Sequence, residues 1–275
     1  MKISGALPVH NEEKYLPYTL SHLLRCRLDE LVFVLDRCSD RSEEIIDRFS
    51  DVAPFEVRKI RVAKREWNYP TAEVFKIGFE NAMHEIVYSL GADCLYHPEI
   101  FEVDWSNLDF ASFPHIDYDL FGSLPKKIHA QWINCYKEIV YMFYPKLTGK
   151  QKFSGIFGFR KEMLNDIKFI DVMSEDIWFL KTAYSRGYRY HYFPEFVSTH
   201  IRPCTSTQDK SYLHGLSRAQ LKYPFWKVAS HSLLFNKPKT IVGYLQARSA
   251  LRHPADIKST EEQIRETDEV LVNKI

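Results

Sequence analysis

Ile3-Ser4-Gly5-Ala6-Leu7-Pro8-Val9-His10-Asn11-Glu12-Glu13, then Leu16, Leu20, Leu23 and Leu24, then Leu31-Val32-Phe33-Val34-Leu35-Asp36, is the stretch that decides the fold. Residues 3–7 are a short apolar run of strand length. The four leucines recur at i, i+4, i+7 and i+8, which puts them on one helical face. Residues 31–35 form a second strand, so the opening reads strand, helix, strand, with Asn11 and Glu12 in the first connection. The alternation continues. Ser39-Asp40 offers an N-cap to a helix whose inward face is Ile45, Ile46 and Phe49. A third strand follows over 56–62, a third helix over 71–82 and a fourth strand over 86–90. This order predicts an α/β fold: a mainly parallel central sheet with right-handed crossovers and helices on both faces.

In open sheets of this kind ligands bind beyond the carboxyl ends of the strands. Residues 8–13, 36–40 and 91–98 should therefore line one site, and all three are rich in Asp, Asn, Glu and His. Further along, the pattern predicts a helix over 125–144, a strand over 156–159, a helix over 175–187 on an Ile177, Leu180, Tyr184 face, and a strand over 189–193.

Composition narrows the class. The chain has 275 residues and 45% hydrophobic content, with 37 Lys plus Arg against 36 Asp plus Glu. Disordered and fibrous chains are excluded. A net charge of +1 gives no global attraction to nucleic acid, so an anionic partner must be recognised locally. Cys26, Cys38, Cys94, Cys135 and Cys204 show no paired or zinc-binding spacing and read as thiols in a reducing compartment. The first residues lack a secretory apolar run, and the expected location is cytoplasmic. Neither GxGxxG nor GxxxxGK[ST] follows the first strand, which argues against dinucleotide enzymes and P-loop NTPases. The carboxylate and amide acceptors of the first loop suit a nucleoside base or ribose better than a phosphate.

Four motifs in order then resemble the inverting nucleotide-sugar glycosyltransferases of family 2, which have the GT-A fold. They are Pro8-Val9-His10-Asn11-Glu12-Glu13, then Asp36-Arg37-Cys38-Ser39-Asp40, then Gly155-Ile156-Phe157-Gly158-Phe159-Arg160-Lys161, and last Glu175-Asp176 with Arg186-Gly187-Tyr188-Arg189. The resemblance spans about residues 3–200. It implies a catalytic domain over 1–200 and leaves 201–275 as a helical C-terminal extension packed on it. It further implies Asp176 as general base with Glu175 beside it. Pro8, Val9, His10, Asn11, Glu12 and Asp36 become the nucleoside site, joined by Arg65, which follows the third strand at the same end of the sheet.

The family's metal-binding D-x-D is here Gly91-Ala92-Asp93, with only the last acid kept. The resemblance places a divalent ion, Mg²⁺ or Mn²⁺, on Asp93 with His200, the diphosphate and water supplying further oxygens. A literal D-x-D at Asp117-Tyr118-Asp119 lies away from the expected loop and is read as a surface turn. Simpler roles stay open: Asp40 and Asn11 as helix caps, Glu175 and Asp176 as acids favoured in a first helical turn, and Arg65 as a solvated charge. Trp67, Tyr69, Trp132, Tyr136 and Trp178 are either sugar-stacking platforms or core.

The expected donor is a nucleotide-sugar, UDP-linked in the first place. The alternative is a non-catalytic sugar-nucleotide or glycan-binding protein of the same fold. Between residues 202 and 253 nine basic residues stand against the single acid Asp209, interleaved with aromatics. That surface either suits a lipid-linked or anionic acceptor, with peripheral membrane association, or is ordinary solvated charge over a core.

Overall fold

The computed structural model describes residues 1–148, 152–172, 174–202, 211–220, 223–234 and 237–250. Strand β1 (Ile3–Val9) sits inside a seven-stranded sheet and alternates strictly. Ile3, Leu7 and Val9 point to one face, and Ala6 points to the other. Helix α1 (Leu16–Leu23) and helix α2 (Ser42–Ser50) cover the first face through Leu16, Leu20, Leu23, Ile46 and Phe49. Leu24, placed on the α1 face by its spacing, instead follows the last turn and is 37% exposed. Helix α3 (Pro70–Asn81) covers the second face. It packs close, because a Cβ on Gly78 would stand 3.0 Å from the Ala6 Cβ and 3.2 Å from Val34.

The remaining strands are β2 (Glu30–Asp36), β3 (Glu56–Val62), β4 (Ile86–Ser89), β5 (Cys94–Leu95), β6 (Phe110–Phe113), β7 (His115–Asp117), β8 (Ile156–Arg160), β9 (Tyr190–Tyr192) and β10 (Ser198–His200). The main sheet has the order β3-β2-β1-β4-β8-β6-β9, and only β8 runs against its neighbours. This is the mainly parallel α/β architecture predicted above. The predicted helices and strands appear within a few residues of their expected limits, including α4 (Leu124–Thr148) and α5 (Glu175–Ser185).

The buried face of α5 differs from the expected line. Phe179, Leu180 and Ala183 are buried, and Tyr184 is 46% exposed. The cause is an aromatic cluster that outweighs the aliphatic periodicity. Phe179 lies 4.7 Å from Phe159 and 5.2 Å from Phe169 between ring centroids, with Phe79 and Phe157 completing the group. Such pairs add stabilisation beyond the area they bury. They fix the orientation of the helix that begins at Glu175-Asp176.

Beyond β10 the expected helical extension is seen as α6 (Ser211–Gln220), α7 (Phe225–Leu234) and α8 (Lys239–Ala250), while Lys210, Lys222, Arg252 and residues 255–275 fall outside the described residues. Helices α6 and α8 touch backbone to backbone. A Cβ on Gly215 or Gly243 would come within 2.1 Å of a carbonyl oxygen of the other helix. The extension meets the rest of the chain where the Ser217 hydroxyl donates to that of Ser174 at 3.4 Å, and where Lys181 donates to the Tyr223 hydroxyl at 3.3 Å. No helix among the described residues is long and apolar enough to cross a membrane.

Candidate active site

Three non-glycine residues have positive φ among the described residues: Asn11 (55°), Arg37 (51°) and Ser174 (69°). All three stand in the connections at the proposed ligand-binding end. Outside glycine and, to a lesser degree, asparagine, such backbone costs on the order of 1 kcal/mol or more and persists only where its surroundings impose it. For the first two, those surroundings are visible. The Asn11 carboxamide oxygen accepts the Ser39 N–H at 2.8 Å, and the Glu12 N–H donates to the Ser42 hydroxyl at 2.7 Å. Asp40 accepts the N–H of Glu13 and of Ser42, each at 3.0 Å. Asn11 and Asp40 therefore clasp the first loop to the start of α2; Asp40 caps that helix through the Ser42 N–H, whereas Asn11 bonds Ser39 and does not cap α1, whose N-cap position is Tyr15 with no side-chain bond. Val9 joins the clasp through its carbonyl, which accepts the Cys38 thiol at 3.3 Å, and Pro8 precedes it in β1.

Asp36, at the end of β2, is buried and engaged. The Arg65 Nε–H reaches both of its oxygens, at 3.1 and 2.9 Å, and Arg65 Nη2 makes a further short contact. Arg37 adds a bond at 3.2 Å. The His10 Nδ1–H donates to the Asp36 carbonyl oxygen at 2.5 Å. Burial pushes the Asp36 carboxyl up, but the two guanidinium groups outweigh it and hold Asp36 below the usual carboxylate range. Of the residues assigned to the nucleoside, Asp36, Arg65 and His10 thus meet at the end of β2, and Arg65 is not a solvated charge.

A second sheet of three very short strands, β5-β10-β7, builds the other half of the site. Its register sets His200 opposite Cys94 on one side and Asp117 on the other. The His200 Nε2 lies 3.2 Å from Asp93 Oδ2, and its Nδ1 lies 3.1 Å from Asp117 Oδ1. Asp117 is 2% exposed and Asp119 7%, so the surface-turn reading of this D-x-D is incorrect. Strand pairing draws the segment inward, with Asn134 of α4 bonding both the N–H and the carbonyl of Asp117 at 2.8 Å.

Asp93 Oδ2 also accepts the Arg202 Nε–H at 2.8 Å, while Arg202 Nη2 donates to Glu12 Oε1 at 2.7 Å. The same guanidinium lies 4.8 Å above the Tyr15 ring. Burial raises the Asp93 carboxyl, but His200 and Arg202 overcome this and depress it to about 2. Motif reading brings neither Asp117 nor Arg202 to the site; the sequence signals for them are the D-x-D itself and an arginine two residues after His200.

These groups fit a divalent cation. Single ligand atoms of Asp93, Cys94 and His200 lie within 4.8 Å of one another. With Asp117 behind it, His200 has the carboxylate-backed arrangement typical of a metal-ligating histidine. The missing first acid has a steric counterpart: a Cβ on Gly91 would stand 3.2 Å from Asp93 Oδ1 and 3.9 Å from the buried Tyr96 hydroxyl.

Asp176 occupies the first turn of α5, just after the left-handed Ser174. Burial raises its carboxyl above the usual range, opposed by N–H groups at the helix start. Its Oδ2 faces Gly155, where a Cβ would come within 3.0 Å. Glu175 is buried beside it. Among the candidate platforms, Trp132 is 62% exposed and Trp67 packs against the aromatic core; the Tyr136 side chain lies outside the described set. Cys26, Cys38, Cys94 and Cys135 are in no disulfide, and Cys204 lies outside the described residues.

A mainly parallel sheet with carboxylates, a histidine and arginines gathered at one end defines an α/β protein with a charged cluster beside its strand ends. Residues 4–167 match the model of glycosyl transferase family 2, and the chain belongs to that family. Its fold is similar to S. aureus TarS 1–349 solved with UDP (TM-score 0.55, 18% identity, 79% of this chain and 65% of that one). The chain thus spans just under two thirds of that TarS segment. It is also similar to the mannosyltransferase PcManGT from Pyrobaculum calidifontis solved with GDP-Man and Mn²⁺ (TM-score 0.58, 14% identity, 98% and 80%). A third similar fold is glucosyl-3-phosphoglycerate synthase from Mycobacterium tuberculosis, solved with Mn²⁺, UDP and phosphoglyceric acid (TM-score 0.55, 16% identity, 80% and 77%). No curated protein sequence matches the chain.

Proposed function

We propose that this chain is an inverting glycosyltransferase that moves a sugar from a nucleotide-diphosphate sugar, UDP-linked in the first place, to an acceptor hydroxyl or phosphate. The observation that carries the reading is the convergence of Asp93, His200 and Asp117 beside the clasped first loop in a family 2 chain. The nucleotides named with the similar folds support a nucleotide-sugar donor. Asp36, Arg65 and residues 8–12 hold the nucleoside. Asp93 and His200 hold Mg²⁺ or Mn²⁺, with Asp117 orienting the imidazole; when bound, the ion supplies Lewis-acid stabilisation of the leaving diphosphate. Asp176 accepts the acceptor's proton on the opposite face of the sugar, where a raised carboxyl is a better base than a free one. Glu175 supports that turn.

A panel of UDP- and GDP-sugars with Mn²⁺, read for hydrolysis and for transfer to soluble and lipid-linked anionic acceptors, tests the reading. Binding without turnover of any donor would favour the non-catalytic alternative. Gly155→Ala gives a sharper check: its Cβ would crowd Asp176 Oδ2. Transfer is expected to fall about tenfold or more, because small displacements of a reacting group are costly. Calorimetry should show unchanged nucleotide affinity. A matched loss of nucleotide binding would place Asp176 in the wrong half of the site.

A further inference from the structure

The Asp93 carboxylate already has a cation. Arg202 donates to Asp93 Oδ2 and to Glu12 Oε1, and its Nη1 has no hydrogen-bond partner among the described residues. The Oδ2 that accepts Arg202 also faces His200 Nε2 at 3.2 Å. An ion ligated by Asp93 and His200 would stand beside the guanidinium on one carboxylate, where like charges repel strongly in a partly dry site. The Arg202 backbone cannot retreat. The Ile201 N–H is bonded to the Asp93 carbonyl at 2.8 Å, and the Ile201 carbonyl accepts the Leu120 N–H at 3.2 Å. Its side chain can pivot, since it is 35% exposed and rests on the Tyr15 face.

We propose that Arg202 is an internal counter-cation that competes with the divalent ion for Asp93 and exchanges onto the diphosphate of the donor when the donor binds. The proposal rests on the nucleotide-sugar reading and adds to it a coupling between ion and nucleotide. The donor draws the guanidinium off Asp93, which then accepts the ion; by linkage the ion favours the donor in equal measure. An arginine suits this exchange, because its planar donors match carboxylate and phosphate oxygens alike. It also accounts for a site that keeps one acid: with Gly91 in place of the first carboxylate, the arginine balances Asp93 and Glu12 until the donor arrives.

The test uses the full chain and its Arg202→Gln and Arg202→Lys variants, each checked for a native thermal transition. Three affinities are measured: Mn²⁺ alone by electron paramagnetic resonance, UDP and GDP in EDTA by calorimetry, and the same nucleotides in Mn²⁺. Arg202→Gln is expected to bind Mn²⁺ alone about tenfold tighter and the preferred nucleotide in EDTA about tenfold weaker, the scale of one charge-assisted contact. Arg202→Lys, which keeps the charge, should restore part of the EDTA affinity. A Gln variant that moves neither affinity, or only one, would overturn the exchange while leaving the donor-site reading intact. If the wild type binds neither nucleotide in Mn²⁺ or EDTA, the nucleotide-sugar reading falls and takes this inference with it. Should the Gln variant not fold, Arg202→Met, which also removes the charge, takes its place: a shift in both the Mn²⁺ and EDTA arms would support the exchange, and affinities equal to wild type in either arm would overturn it.

Discussion

Asp176→Asn is expected to lower sugar transfer by about 10²- to 10⁴-fold, the usual cost of losing a general base, with nucleoside-diphosphate affinity close to wild type. The base acts on the acceptor, so the donor site should not register the change. Single-turnover transfer and calorimetry on one preparation separate the two, and unchanged turnover would remove the proposed mechanism. The pH profile adds a second readout. Burial lifts the Asp176 carboxyl above its ordinary value, so the active carboxylate is lost as pH falls through that raised value, and the acid limb should lie above about pH 4. The stability effect has the opposite sign. A folded carboxyl raised above its unfolded value binds its proton more tightly in the native state, and stability declines as pH rises through the folded value. At neutral pH the buried charge is a cost that asparagine lacks, and the variant should melt at a higher temperature.

Asp93→Ala should abolish the tightening of nucleoside-diphosphate binding by Mn²⁺ or Mg²⁺. Supporting residues around a bound metal typically contribute 10- to 100-fold in affinity, and loss of a direct carboxylate ligand is expected to reach about 100-fold or more. The substitution also leaves His200 and Arg202 without their shared acceptor. Asp93→Asn, which keeps an oxygen there, is the control for folding. Titration of the wild type with and without EDTA comes first: equal affinities would sink the metal-dependent reading whatever the variants do.

What the chain's own pattern determines is the frame. Short apolar runs at 3–7 and 31–35 and leucines at helical spacing define β1, α1 and β2, because a strand covered on both faces of a parallel sheet is apolar throughout and a surface helix on one side only. Strand ends then locate the lining loops, and the start of a helix locates Asp176. Tertiary structure alone decides the rest. Asp93, Asp117 and His200 meet through β5, β7 and β10, strands of two or three residues too short to leave a period, joined across distant parts of the chain by pairing register. The D-x-D at 117–119 looks like a turn until that register buries it. The face of α5 is set by Phe79, Phe157, Phe159 and Phe169, which no local window contains. Arg202, one basic residue among nine in its stretch of sequence, becomes the cation of the site only because the Ile201 backbone is tied to Asp93, within reach of Glu12 from the opposite end of the chain.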